Sequence, residues 1–300
     1  MIKKIKYCDI DFEKYNRCLE NSAQRKYSAT KLFLDITSGK NWDLLIYRDY
    51  EAVMPVPFVK KSFVKIVHNP MLCQQLGIFS VVDNAEINEL FLNFFKGNYV
   101  IRLYNFNDRN YFKSDLKIKR NYLIFKEDYQ KVYAKYSPKR KRKLRLDPEA
   151  AENSEIRNVS FKEAEFFIDK HFIGAHKTDV HGVFMKLFKE LADNKLLHFS
   201  AFLLKQKIIN IIALYEDQTT VALLGTFNDK NFVKTSGASL LIDHAIKTNI
   251  ESKIFDFEGS ELPNVEEFFR GFRPEMRPYP VLYYSKKEII SRLFHLKKNL

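Results

Sequence analysis

The chain is poor in the residues that build disulfide scaffolds, zinc fingers and flexible linkers. Its 300 residues include 3 cysteines, 9 glycines and 9 prolines. Cys8, Cys18 and Cys73 are odd in number and form no CxxC pair, which argues against a disulfide framework and for a reducing compartment. The low content of glycine and proline argues against long flexible linkers.

The sequence also lacks a long apolar run. The most apolar stretch, residues 208–215, contains Asn210 and is far shorter than the ~18 residues needed to cross a bilayer. Asp9 and Asp11 interrupt the N-terminal segment before any apolar stretch of signal-peptide length. We therefore expect no membrane span and a cytoplasmic protein. Because a typical domain has ~150 residues, the length predicts about two domains.

The chain also has fewer acidic than basic residues. The chain has 50 Lys+Arg against 37 Asp+Glu, a formal net charge of +13. Such an excess favours polyanionic partners, namely nucleic acid, phosphorylated cofactors or anionic lipid. It is equally compatible with a lysine-rich surface that has no specific partner, so charge alone decides nothing. The 46% hydrophobic composition excludes wholesale disorder.

The spacing of apolar residues divides the chain into two similar halves that alternate strands and helices. In the first half it predicts strands at 42–48, 51–59, 63–68, 99–104 and 120–125, and a helix from 87 that ends at Gly97 as a C-cap. In the second half it predicts helices at 160–167, 182–191, 237–249 and 264–270, and strands at 197–204, 208–215, 220–227, 253–257 and 279–284. A capping box of Ser160 and Glu163 opens the first of these helices. The pattern is that of an α/β (mixed α+β) protein.

A strongly basic segment lies between the halves. Lys139–Arg145 contains six basic residues in seven, and Ser137 before Pro138 predicts a helix N-cap with proline at the first helical position. Three interpretations stay open. The segment is a solvated helix face, a contact to a phosphate-bearing ligand such as tRNA, or a targeting signal of the nuclear-localisation type.

The helix predicted at 237–249 begins with three small residues, Gly237, Ala238 and Ser239. Small residues let a ligand approach the free N–H groups of a first turn, and the positive end of the helix dipole favours phosphate. Lys234 would add a point charge, and Ser236 a hydroxyl donor. The alternative is an ordinary helix start whose small residues only pack closely, since the sequence has neither a GxGxxG nor a P-loop motif.

The strand that follows this helix ends with two carboxylates, Asp256 and Glu258. Their equal parity places them on one face, and ligands of α/β sheets bind at the carboxyl ends of strands. Either carboxylate would accept a proton from an attacking ammonium group. The alternative is that they cap the next helix or bind Arg270 and Arg273.

Three histidines, His171, His176 and His181, are spaced five residues apart. On a helix that spacing rotates each by about 140° from the last, so they do not share a face as metal ligands must. We expect no metal, although one of them would fit a substrate cleft. No GxSxG or HExxH motif occurs, which weakens a hydrolase interpretation.

At this point two parts of the sequence resemble a known family. Residues 255–265 followed by 268–272, and residues 74–80 (QQLGIFS), are similar to motifs of bacterial FemAB-like proteins of the GNAT superfamily. The family carries a Phe–Lys pair where this chain has Phe269–Arg270. The GNAT phosphate signature is reduced here to Ser236–Ala238.

The resemblance implies two tandem GNAT-like domains, each a mixed, largely antiparallel sheet flanked by helices. Residues 1–136 would form the first, 137–153 a basic connecting helix, and 154–300 the domain that binds the acyl donor. It implies an acyltransferase that moves an acyl or aminoacyl group from acyl-CoA or aminoacyl-tRNA to an amine of a small molecule or peptide, in a cleft between the domains.

The roles that this reaction needs are given to residues already singled out. Glu258 or Asp256 would accept the proton, and Arg270 would stabilise the oxyanion. Tyr279 or Tyr283 would protonate the leaving group. Two other functions remain open: a non-enzymatic protein that binds RNA or DNA, and an inactive double-GNAT scaffold. Nothing in the sequence predicts an oligomeric state.

Overall fold

The computed structural model of the chain describes residues 1–61, 64–173, 178–260 and 262–290. The chain forms two compact units. The first contains residues Met1–Lys119 together with the chain from Pro278 onward, and the second contains Arg120–Arg277. Within the described residues, no helix is long and apolar enough to span a membrane.

Over the described part of residues 1–119, the first unit contains a largely antiparallel sheet and three α-helices. Its elements are β1 (Ile2–Ile5), α1 (Phe12–Glu20), α2 (Lys31–Ser38), β2 (Trp42–Tyr47), β3 (Ala52–Lys61), β4 (Val64–Val67), β5 (Phe79–Ser80), α3 (Ala85–Asn98), β6 (Val100–Ile101) and β7 (Leu103–Asn105). The strand order is β1-β2-β3-β4-β6, with β5 paired to β3, and the β4–β6 pair is parallel. Apolar side chains on β2 and β3, including Trp42 and Leu44, are fully buried and form its core.

The second unit has one mixed sheet covered by helices. Its elements are β8 (Lys117–Ile124, which begins in the first unit), α4 (Tyr129–Lys135), α5 (Pro138–Lys143), α6 (Pro148–Glu152), β9 (Ser154–Val159), α7 (Phe161–His171), α8 (Thr178–Asp193), β10 (Leu197–Leu204), β11 (Lys207–Glu216), β12 (Thr220–Asn228), α9 (Gly237–Asn249), β13 (Ile254–Asp256) and α10 (Pro263–Arg270). The strand order is β8-β13-β12-β11-β10-β9, and β12–β13 is the parallel pair. Leu241, Ile242 and Ile246 of α9 are fully buried in its core.

The last strand, β14 (Glu275–Tyr283), returns to the first unit, where Val281 pairs with Asn105 of β7. The observed units therefore differ from the predicted ranges 1–136 and 154–300. Residues 120–153 belong with the second unit because Ile124 of β8 pairs with Phe255 of β13. The chain leaves the first unit and comes back to it, which a division into consecutive halves does not allow for.

Two predicted helix ends can be compared directly with the structure. The Ser160–Glu163 capping box is confirmed, since each side chain bonds the other residue's backbone N–H. The prediction that Gly97 is the C-cap of α3 is wrong. Gly97 lies inside the helix, which ends in the extended residue Tyr99, whose N–H still donates to the carbonyl of Phe95.

Candidate functional site

A cavity of about 670 Å³ lies in the second unit, among α5, the first turn of α9 and α10. Its walls are Ser137, Lys139, Arg140, Lys143, Asn210, Asn228, Asp229, Phe232, Val233, Ser236–Ser239, Asn264, Glu267, Phe268, Arg270, Gly271 and Arg273. A cavity of this size matches small-molecule and cofactor sites. It brings together three segments that the sequence analysis singled out separately: the basic helix, the small-residue helix start and Arg270.

The first turn of α9 presents two unused donors in the cavity wall. Ser236 adopts a left-handed conformation (φ 61°), and its side chain does not cap the helix. The N–H groups of Gly237 and Ala238 form no hydrogen bond to any described residue. A Cβ at Gly237 would lie 1.9 Å from Asn210 Oδ1, so only glycine fits there. The structure is therefore compatible with both interpretations of this turn. Gly237 packs closely against Asn210, and the N–H groups of Gly237 and Ala238 are still available to a ligand.

Charge in the cavity wall is predominantly positive. Five cationic side chains and two carboxylates contribute to the lining. One of the carboxylates, Glu267, is paired with Lys139 at 3.0 Å. Because cations and a helix N-terminus converge on one cavity, the site is electrostatically suited to a ligand that carries several negative charges.

Beside this region the sheet opens. β12 pairs with β13 only over Thr220–Ala222, although β12 continues to Asn228. The pairing of β11 with β12 has a register shift between Ala213 and Leu214, next to the point where β12 and β13 separate. Residues 223–228 of β12 therefore have no described strand partner on the β13 side. An unpaired strand edge offers backbone donors and acceptors to an extended ligand.

Comparison with known proteins identifies the fold. No protein-family profile matches the sequence, and no curated protein is similar to it in sequence. Solved structures do match. FemX superposes with a TM-score of 0.65 at 9% identity, covering 96% of this chain and 99% of FemX. A tandem GNAT protein from the clavulanic acid biosynthesis pathway gives a TM-score of 0.50 at 6% identity and covers 94% and 97% of the two chains. L-PGS from Bacillus licheniformis gives 0.52 at 11% identity, with coverage of 94% and 96%.

The chain has a tandem GNAT fold. At these identities the comparisons establish the fold alone. They confirm the predicted fold class, two largely antiparallel sheets flanked by helices, and the resemblance to FemAB-like and GNAT proteins.

Within the tandem GNAT fold, the predicted phosphate-binding residues are only partly brought together. Ser236, Gly237, Ala238 and Ser239 line the cavity, whereas Lys234 is exposed and lies outside the lining. The Ser239 hydroxyl accepts a hydrogen bond from Arg140 Nη1. The lysines of the cavity wall come instead from α5.

The acidic strand end forms a turn. β13 ends at Asp256, and Glu258 is left-handed (φ 56°), so the parity argument that placed both carboxylates on one face does not extend to Glu258. Asp256 is buried, and its Oδ1 accepts from Asn121 Nδ2 at 2.9 Å and from Glu258 N at 2.8 Å. The alternative that these acids cap α10 is wrong. Its N-cap is Leu262, with no side-chain cap.

Arg270 stands at the last turn of α10, where it lines the cavity. Its Nε lies 3.3 Å from Glu266 Oε1, and Glu266 also accepts from the Tyr122 hydroxyl at 2.6 Å. The bond from Tyr122 and the nearby arginine charges lower the pKa of Glu266, against an opposing effect of desolvation. Arg270 is thus held by Glu266 and not by the acids of residues 256 and 258.

The two predicted tyrosines belong to the first unit. Tyr279 is buried on β14. Tyr283 is exposed, and the guanidinium of Arg102 lies 4.6 Å from its ring centroid. The walls of the cavity come entirely from the second unit, so the cavity itself gives neither tyrosine a role.

The histidines occupy separate environments. His171 packs against the Phe167 ring at 4.4 Å, and burial lowers its pKa. His181 Nε2 lies 3.4 Å from Asp169 Oδ1. His176 is outside the described residues. Among the residues that are described, no group of three His, Cys, Asp or Glu side chains could hold a metal ion.

Sequence reasoning missed how the basic helix is divided. Lys139, Arg140 and Lys143 line the cavity, and Arg140 is 5% exposed. Lys141 and Arg142 are not part of the lining. Spacing carries the signal that was available: Lys143 is four residues from Lys139 and three from Arg140, so it neighbours both on one helix face. Six basic residues in seven hide that face, because every position has the same charge.

Proposed function

We propose that the protein is an N-acyltransferase that uses a phosphate-bearing carrier as its donor. The observation that carries the proposal is the cavity of the second unit, where two free N–H groups of α9 meet five cationic side chains. A phosphate at a helix N-terminus is stabilised by direct hydrogen bonds and by the dipole together. The tandem GNAT fold of the chain supports acyl transfer as the reaction class.

The unpaired edge of β12 favours acyl-CoA among the possible carriers. A donor whose phosphates lie at Gly237 and Ala238 would extend its arm along residues 223–228. Amide groups in such an arm would hydrogen-bond to the strand edge as an added strand does. Aminoacyl-tRNA is the other candidate, with the outward residues of Lys139–Arg145 as additional phosphate contacts.

The reaction is a nucleophilic substitution at the acyl carbon. The acceptor amine attacks the carbonyl, a C–N bond forms, and the C–S bond of a thioester or the C–O bond of an ester breaks. We assign the ammonium proton to Glu258 in preference to Asp256, whose Oδ1 already accepts two hydrogen bonds. Arg270 would stabilise the oxyanion as a fixed charge, since a guanidinium does not act as a base.

The remaining assignments follow from the donor. Tyr279 and Tyr283 stay candidates for the acid that protonates the leaving thiolate or alkoxide, and the acceptor is an amine of a small molecule or peptide. A cytoplasmic location would supply either donor, and the free thiols of Cys8, Cys18 and Cys73 are compatible with it.

The test compares two double variants of one helix. Lys139→Ala/Lys143→Ala removes two cations that face the cavity, and Lys141→Ala/Arg142→Ala removes the same charge from outside it. Affinity for acetyl-CoA is measured by calorimetry. We expect the first variant to lose about tenfold or more, because each phosphate contact is charge-assisted. The second should stay close to the wild type.

A charged tRNA pool serves as the second probe. If tRNA is the donor, affinity falls steeply with salt, and a variant that removes two phosphate contacts lowers the slope of log K against log[salt] by about 2. Equal losses for both double variants would contradict a defined donor site. They would point instead to non-specific polyanion binding by a protein that is not an enzyme.

A further inference from the structure

One basic side chain of α5 is buried inside the protein. Arg140 is 5% exposed, although it belongs to a run of six basic residues in seven. Its Nη1 donates to the Ser239 hydroxyl, in the first turn of α9, and its Nη2 donates to the carbonyl of Phe268 in α10 at 2.7 Å. The guanidinium of Arg140 thus links α5 to both α9 and α10, the other two helices of the cavity wall.

The surroundings of Arg140 are shaped to hold this group. The guanidinium carbon lies 4.2 Å from the ring centroids of both Phe268 and Phe272. A Cβ at Gly271 would lie 3.0 Å from Arg140 Nε and from Nη2. The aromatic–glycine segment 268–272 is therefore a clamp: two rings receive the guanidinium, and the glycine leaves room for it.

The buried charge of Arg140 destabilises the protein when no anion occupies the cavity. Arg140 forms no ion pair with any described carboxylate, and it lies beside the positive end of α9. Burial lowers its pKa to about 10, while Asp243 of the same helix acts on it only at a distance. A buried cation without a paired anion is destabilising. It becomes favourable when an anion enters the adjoining cavity, because both positive groups then face it.

We propose that Arg140 is a positioning residue of the donor site, which holds the first turn of α9 through Ser239 in the conformation that binds an anionic carrier. The proposal rests on the proposed function for the identity of the ligand. It does not rest on it for the ordering of the turn, because the contacts to Ser239 and Phe268 exist in the chain without a ligand.

The experiment uses Arg140→Lys, Ser239→Ala and the double variant, with Arg142→Lys as the matched control on the exposed face of α5. Amide hydrogen exchange of α9 is followed without ligand, and affinity for acetyl-CoA is measured on the same preparations. Lysine keeps the charge but lacks the planar fork that reaches two acceptors at once. Thermal melts establish that each variant is folded.

We expect Arg140→Lys to speed exchange of the first turn of α9, leave its last turn unchanged and lower the affinity about tenfold, the effect of one charge-assisted hydrogen bond. Ser239→Ala should do the same, and the double variant should lose no more than either single one. Additive losses, or unchanged exchange in Arg140→Lys, would overturn the proposal.

The outcomes separate the two proposals. If the wild type binds neither acetyl-CoA nor charged tRNA, the proposed function fails, and the exchange data still decide whether Arg140 orders the turn. If the wild type binds acetyl-CoA and Arg140→Lys binds it equally well, the role of Arg140 is refuted and the donor site stands.

Discussion

Gly77 shows how one residue shapes the first unit. Its φ of 124° is a conformation that side chains with a Cβ rarely adopt, and an added Cβ would lie 2.4 Å from Asn110 Oδ1 and 2.6 Å from the backbone N of Asn107. Its N–H donates to the Tyr104 hydroxyl at 3.1 Å, and the N–H of Ile78 donates to Asn110 Oδ1 at 2.9 Å. Glycine is required here for both backbone conformation and space.

We therefore expect Gly77→Ala to lower the free energy of unfolding by about 2–4 kcal/mol, since strain and a clash with backbone add together. Gly97→Ala is the matched control. Gly97 lies inside α3, and apart from its chain neighbours and the local helix backbone nothing lies within 4 Å of an added Cβ, so alanine should stabilise by about 0.5–1 kcal/mol. Urea denaturation measures both, and equal effects of the same sign would contradict this explanation.

His198 should contribute to the pH dependence of stability. His198 of β10 lies 3.6 Å from Glu216, which pairs with Lys253, and burial lowers its pKa below the ordinary 6.5 in spite of the Glu216 charge. In the window from 6.5 down to that lowered pKa the unfolded chain binds the proton more readily. Stability is therefore full above 6.5 and falls as the pH drops.

His198→Gln removes this titration and keeps a side chain that can donate to Glu216. The loss of unfolding free energy between pH 7.5 and pH 5 should be smaller in the variant, and denaturant titrations at several pH values measure it. One titrating group changes the slope by at most about 1.4 kcal/mol per pH unit. A slope identical to that of the wild type would show that the protonation of His198 does not differ between the folded and unfolded states.

Individual residues of the candidate site were predictable from the sequence only where the residue type and its position in a local element both point to ligand binding. Gly237 and Ala238 stand out because small residues at a helix start let a ligand approach the N–H groups of the first turn, and both line the cavity. The burial of Arg140 was not predictable, because it depends on the rings of Phe268 and Phe272, more than 120 residues further along the chain. Long-range packing decides which of several equal charges is enclosed.

At the scale of elements, the strongest local signals were sufficient. The helix α9 was predicted with its observed bounds, Gly237–Asn249, and the N-cap Ser137 accepts from Arg140 N as the Ser–Pro pair predicts. Both signals are encoded within one turn of chain. The helices α1 and α2 were missed, although Asp11 caps α1 with two hydrogen bonds to backbone N–H groups. Both helices are amphipathic, so a helical period and, for α1, a capping signal were present in the sequence and were not used.

β13 illustrates where local reasoning stops. Alternation predicts a strand over 253–257, but its pairing with β12 and β8 covers only Ile254–Asp256. The Asn121 amide and the Glu258 N–H both bond Asp256 Oδ1, which favours a turn in place of further strand. The buried polar partner on β8 is separated by 135 residues, so no short window of sequence contains it.

At the scale of the whole molecule, the connectivity is interleaved. The second unit is a continuous segment, Arg120–Arg277, and the first is made from two separate segments. The sequence predicts two repeated halves, and consecutive halves predict consecutive domains. The pairing of β14 with β7, through Leu282 and Tyr104, shows that the chain returns to its first unit.

This connectivity makes a prediction about where a mutation near the C-terminus acts. Leu282 of β14 and Leu223 of β12 are each 5% exposed, one in each unit. Replacing either by alanine should cost about 2–5 kcal/mol, from lost burial and the cavity left behind. Hydrogen exchange should then differ in location. Leu282→Ala should loosen β7 in the first unit, and Leu223→Ala should loosen β11 in the second.

The two variants are each other's control, because they remove the same side chain from equally buried positions. If the units are the cooperative ones, protection is lost in the unit that contains the altered leucine and is retained in the other. Equal loss of protection in β7 and β11 in both variants would show that the chain unfolds as one unit. Loosening that follows sequence distance instead, with Leu282→Ala acting on α10 before β7, would contradict the interleaved connectivity itself.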